Sequence, residues 1–116
     1  MSDTYKVVIS GSHGGFGLSQ LALNILYKNY PDMVEMRKDY WGEEVMYLSD
    51  EVERHDKRLV KVVEALGSEL ASGDYANLVI GTIYSPVYRV SEYEGYESIH
   101  TQNIDDSWVI INKDSL

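Results

Sequence analysis

The chain has no cysteine, which excludes a disulfide framework, a thiol nucleophile, an iron–sulfur cluster and a cysteine zinc site. Nowhere does it hold an apolar run near the roughly 18 residues that span a bilayer. Met1 to Lys6 lacks the basic start and apolar stretch of a signal peptide, so a cytoplasmic location is expected. Basic residues are scarce: ten Lys and Arg stand against nineteen Asp and Glu, a formal charge of -9. That field repels phosphate backbones and anionic lipids, so neither general nucleic-acid binding nor membrane-surface binding is expected. It either keeps the domain soluble or offers a decoy surface to a basic, nucleic-acid-binding protein.

What is present suits one domain over residues 1–116. Of these, 44% are hydrophobic and 25% charged, enough to bury a core without metal or disulfide support. Tyr5-Lys6-Val7-Val8-Ile9-Ser10 is a β-branched run ending at Gly11 and reads as a first strand. A glycine-rich stretch, Gly11 to Leu18, follows, and Ser19 is a good N-cap for a helix over Gln20 to Tyr30 that carries Leu21, Ala22, Ile25 and Leu26. Pro31 ends it. Met33 to Glu53 has poor periodicity, and the turn-like Asp39-Tyr40-Trp41-Gly42 leaves a hairpin or an irregular excursion open. Asp56 caps a second helix with Leu59, Val62, Val63, Leu66 and Leu70 on one face and Gly73 at its C-terminal end.

Asn77 to Tyr84 reads as an interior strand ended by Ser85-Pro86. Val87 to Tyr93 and Tyr96 to Gln102 flank the hairpin signal Glu94-Gly95. A two-residue loop pairs Tyr93 with Tyr96, Glu92 with Glu97, Val90 with Ile99 and Arg89 with His100; a three-residue loop with Gly95 in a bulge is the alternative. Trp108 to Ile111 reads as a last strand. The resulting fold is α+β, a mixed, mainly antiparallel sheet with two helices packed on one face.

The stretch Gly14-Gly15-Phe16-Gly17-Leu18-Ser19 after a first strand resembles a set of small phage-encoded proteins that open with a strand and a "YGGFGLS" loop. Arg54-His55-Asp56 with Leu59 to Gly67 looks like that family's "RxDPxLVxVVEELG" helix start. Ala76 to Ile80 and Glu92-Tyr93-Glu94-Gly95 look like its "AxLKIVEIP" strand and "EYDG" tip. The likeness covers about two-thirds of the chain, in order. His13 stands where the family usually has an aromatic, Ser12 where it often has cysteine and Lys57 where it has proline; residues 31–53 do not match. The resemblance implies a phage or prophage origin, hence a host cytoplasm, more firmly than a chemistry.

A glycine-rich turn leading into a helix N-terminus gathers backbone N–H groups and the positive end of the helix dipole. Its glycines either build such an anion site or permit close packing while Phe16 and Leu18 fill the core. The pattern is neither the dinucleotide fingerprint nor a P-loop. Arg54 either clamps a phosphate there or pairs with Glu51 or Glu53. The tyrosines at 84, 88, 93 and 96 either pack the sheet or, exposed, stack on a base or partner. The candidate ligand-binding set is therefore His13, Gly14, Gly15, Phe16, Gly17, Ser19, Arg54, Tyr93 and Tyr96.

No cofactor is called for, and the spacing of His13, His55 and His100 matches no metal pattern. Glu92 opposite Glu97 demands a nearby cation such as Arg89, a partner's basic group or a longer loop. The leading expectation is a non-enzymatic phage accessory protein that sequesters a small nucleotide-type ligand, a host immune signal, and self-associates as a homo-oligomer through a sheet edge or tyrosine face. The alternative is an acidic interaction module that inhibits a host nucleic-acid-binding enzyme. A hydrolase using Glu92 or Glu97 with His100 is a third option, without a supporting nucleophile or cofactor motif.

Overall fold

The computed structural model describes residues 4–101 and 109–111. The chain runs β1 (Tyr5–Ser10), α1 (Gln20–Asn29), a 3-10 turn (Pro31–Met33), β2 (Val34–Lys38), β3 (Glu44–Leu48), α2 (Lys57–Ala71), β4 (Leu78–Ile83), β5 (Val87–Tyr93), β6 (Tyr96–His100) and β7 (Val109–Ile110). The α+β class expected from the sequence holds. The one mixed sheet is corrected to three ladders, β1 with β4, β2 with β3, and β6–β5–β7, each antiparallel among the described residues.

The β1–β4 ladder is the middle layer. Val8, Leu78 and Ile80 face the helices and pack with Leu23, Leu26, Leu59 and Val63. Tyr5, Val7 and Ile83 face the other way, onto Tyr88, Ile99 and Ile111 of the β5–β6–β7 side. A strand buried on both faces needs no polar alternation, which explains the run of β-branched residues in β1. Gly81 permits the close sheet-on-sheet approach, since a Cβ there would lie 2.5 Å from the Ile99 side chain.

Ser19 caps α1 by accepting from the Ala22 N–H, and Asp56 caps α2 by accepting from the Arg58 N–H. Two details of the helical faces are corrected. In α1 the buried positions are Ala22, Leu23 and Leu26, while Leu21 is exposed. In α2 the backbone breaks at Gly67, whose φ of 82° is left-handed, so the last turn rotates and Leu70 points to solvent. The helix ends at Ala71 with Ser72 as its cap, and Gly73 instead donates its N–H to the Gly17 carbonyl.

The β5–β6 register is the one read from the two-residue loop, from Arg89 opposite His100 to Tyr93 opposite Tyr96. Glu94 itself adopts positive φ, 50°, beside Gly95 at 88°, which selects the tight turn over the bulge. Residues 34–48 form a hairpin turning at Asp39 to Glu43. Gln102 and Trp108 lie outside the described residues. No helix among the described residues is long and apolar enough to cross a membrane.

Candidate functional site

Arg54 sits in the loop before α2, against the outer edge of β1, where Val8 and Ser10 present N–H groups that β4 does not use. The Arg54 carbonyl accepts from the Val8 N–H at 2.9 Å. The Glu97 carboxylate accepts from the Ser10 N–H at 2.8 Å. The Arg54 guanidinium grips Glu97 with both terminal nitrogens, at 2.7 and 2.9 Å, and lies 3.6 Å above the Phe16 ring. An exposed sheet edge is thus closed by a two-pronged ion pair stacked on an aromatic face.

That geometry corrects three expectations. The partner of Arg54 is Glu97, not Glu51 or Glu53, and a phosphate clamp would have to break this pair first. The cation that tolerates Glu92 opposite Glu97 is Arg54 rather than Arg89: Glu97 is buried, whereas Glu92 is exposed and accepts from the Gly95 N–H. The hydrolase constellation does not assemble, because Glu92 and Glu97 lie on one face of the hairpin and His100 on the other. There His100 Nε2 lies 2.6 Å from the Ser91 hydroxyl.

The glycine loop is wedged between two backbones. A side chain at Gly14 would collide with the Tyr75 carbonyl, and one at Gly95 with the His13 carbonyl. Ser19 and Gly17 tie the loop to the turn after α2 through the Ala71 carbonyl and the Gly73 N–H. The structure therefore brings the candidate residues together in two groups. His13 meets Tyr96, ring centroids 5.6 Å apart, with Tyr93 opposite Tyr96 in the hairpin register and Gly15 beside Gly95, while Gly14 lies against Tyr75. Phe16, Gly17 and Arg54 border a cleft of about 560 Å³ between the start of α1 and β3. Ser19 belongs to neither group, its hydroxyl being engaged with the Leu70 carbonyl and the Ala22 N–H.

The cleft's other guanidinium, Arg37, is held by Glu35 at 2.6 Å and Asp50 at 3.1 Å. Both of its cations are therefore matched by carboxylates. Of the late tyrosines, Tyr88 is core, while Tyr84 and Tyr93 are each 73% exposed. Tyr88 hydrogen-bonds the His55 ring at 2.7 Å, and burial holds the His55 pKa below its ordinary value while raising that of Tyr88. Among the described residues no three His, Asp or Glu side chains gather as a metal site.

The β2–β3 hairpin is where sequence reasoning saw least. Residues 31–53 carry eight acidic and two basic side chains, a net -6 of the chain's -9. At the hairpin's tip Tyr40 and Trp41 are 93% and 82% exposed, packed edge to face against each other with ring centroids 5.5 Å apart. A local charge count over this segment was the available signal. No family model, no curated protein and no solved structure matches this chain.

Proposed function

We propose that this chain is a non-enzymatic interaction protein that binds a positively charged partner protein through the acidic segment 31–53, whose β2–β3 hairpin presents Tyr40 and Trp41. The observation that carries the reading is that residues 31–53 hold a net -6 of the chain's -9 and also Tyr40 and Trp41, the two most exposed large aromatic side chains among the described residues. Large rings left in water are not maintained by the fold, and aromatics within a polar rim are the composition of protein interfaces. Capture from a bacterial lysate on immobilised protein tests it. The expected result is a basic partner that is released by a salt gradient and is missing when Tyr40→Ala and Trp41→Ala are combined. Retention indifferent to both salt and these substitutions overturns the reading.

A second reading rests on the cleft. About 560 Å³ at a helix start, floored by the Phe16–Arg54 stack, suits a small flat ligand of nucleotide type. The acidic partners of Arg37 and Arg54 favour its base over its phosphate. A thermal-shift screen of linear and cyclic nucleotides tests this, since binding at a hundredfold excess over Kd adds about 2.7 kcal/mol of apparent stability. Gly17→Asp is the matching variant: a Cβ at Gly17 meets nothing within 4 Å, so the fold tolerates it while the cleft is obstructed. A shift lost in that variant supports capture; no shift in the wild type removes this reading.

A further inference from the structure

The hairpin tip is built in advance of any encounter. The Asp39 carboxylate accepts from the Trp41 and Glu43 N–H groups, each at 2.9 Å. The Asp39 N–H donates to the Glu43 carbonyl at 2.8 Å, and the Gly42 N–H to the Asp39 carbonyl at 3.1 Å. Tyr40 and Trp41 are consequently held as a pair at 79° to each other on a closed turn. A preordered anchor loses little conformational entropy on binding.

Charge and ring chemistry together narrow the complement. A second copy of this chain brings the same -9 field, and free nucleic acid or an anionic membrane is repelled. A basic surface without aromatic faces would neutralise Glu43 and Glu44 but would offer the rings nothing to stack on. A surface that answers both features offers cations along a groove and aromatic faces within it, which describes the binding groove for single-stranded nucleic acid. Resting on the interaction reading above, we infer that the hairpin tip is a mimic of single-stranded nucleic acid: Tyr40 and Trp41, set at 79° to each other, offer ring faces to the groove's aromatics as unstacked bases do, and Glu43 and Glu44 meet the groove's lysines and arginines in place of phosphates.

The test uses the full chain against a purified single-stranded-DNA-binding protein of the five-stranded-barrel type, loaded with a fluorescent oligo(dT). Binding and oligonucleotide displacement are read separately. Wild-type chain is expected to bind and to displace the oligonucleotide, less effectively as salt rises. Tyr40→Ala with Trp41→Ala should compete about tenfold or more weakly with an unchanged melting temperature, because both rings are outside the core. Glu43→Gln with Glu44→Gln should weaken competition and flatten its salt dependence. Binding without displacement, or aromatic variants that compete like wild type, overturns the mimicry while leaving the broader interaction reading in place. No binding overturns the mimicry too, and the lysate capture then decides the broader reading on its own.

Discussion

Arg54 and Glu97 stabilise the fold as a unit, and either one alone is a liability. Arg54→Ala leaves a buried carboxylate facing the β1 edge without its cation, a loss on the order of 3–5 kcal/mol by urea denaturation. Arg54→Lys keeps the charge but gives up the two-pronged grip and the stack on Phe16, so it should recover only part of that loss. Equal stability of Arg54→Lys and wild type would argue against the geometry. The glycines of the loop divide in the same concrete way. Gly14→Ala must displace the Tyr75 backbone and should cost more than about 2 kcal/mol. Gly17→Ala enters open space and should change stability by less than about 1 kcal/mol.

His55 gives a pH dependence with a definite sign. Its folded pKa lies below the ordinary 6.5 because burial disfavours the imidazolium. The unfolded chain therefore binds the proton more readily. Stability is complete above about pH 6.5 and falls as the pH drops through the lowered folded value. Denaturation midpoints between pH 7.5 and 5 should show this decline, and His55→Gln should flatten it. That variant also disturbs the Tyr88 hydroxyl, so the slope with pH is the diagnostic quantity rather than the absolute stability.

At the level of elements, local rules read well wherever a residue's partner is nearby in sequence. Ser19 and Asp56 cap their helices as their positions implied, and the Val90 and Ile99 pairing identified the β5–β6 register. Helix periodicity failed at Leu70 because it assumes an unbroken helix, and Gly67 breaks it with left-handed backbone. Gly67→Ala should cost about 1–3 kcal/mol through its backbone conformation alone, φ 82° with ψ 164°, since no neighbour crowds the position. A cost near zero would mean the helix straightens through residue 67 and brings Leu70 back toward the core. The β2–β3 hairpin was left open because neither strand is a clean alternation. The intermediate positions of β3 line the cleft instead of a closed core.

Across the whole molecule, stability depends on a middle ladder pressed from both sides. Gly81→Val forces the β5–β6 side away from β4 and should cost about 1–3 kcal/mol. Adding Ile99→Ala, which empties the space that Gly81 keeps clear, should make the double variant less destabilised than the sum of the two singles. Strict additivity would mean that the two layers do not meet there.

By itself the sequence determined the α+β class, the N-caps of both helices, the first strand and the tip of the last hairpin, because each depends on spacing within a few residues. Tertiary structure decided what those elements do to one another. It matched Arg54 with Glu97, 43 positions away. It set Gly14 against Tyr75 and Gly95 against His13, and left Tyr40 and Trp41 unburied on an acidic arm. Such pairings are chosen by how layers stack and which edges stay open, and no local pattern of residues encodes that choice.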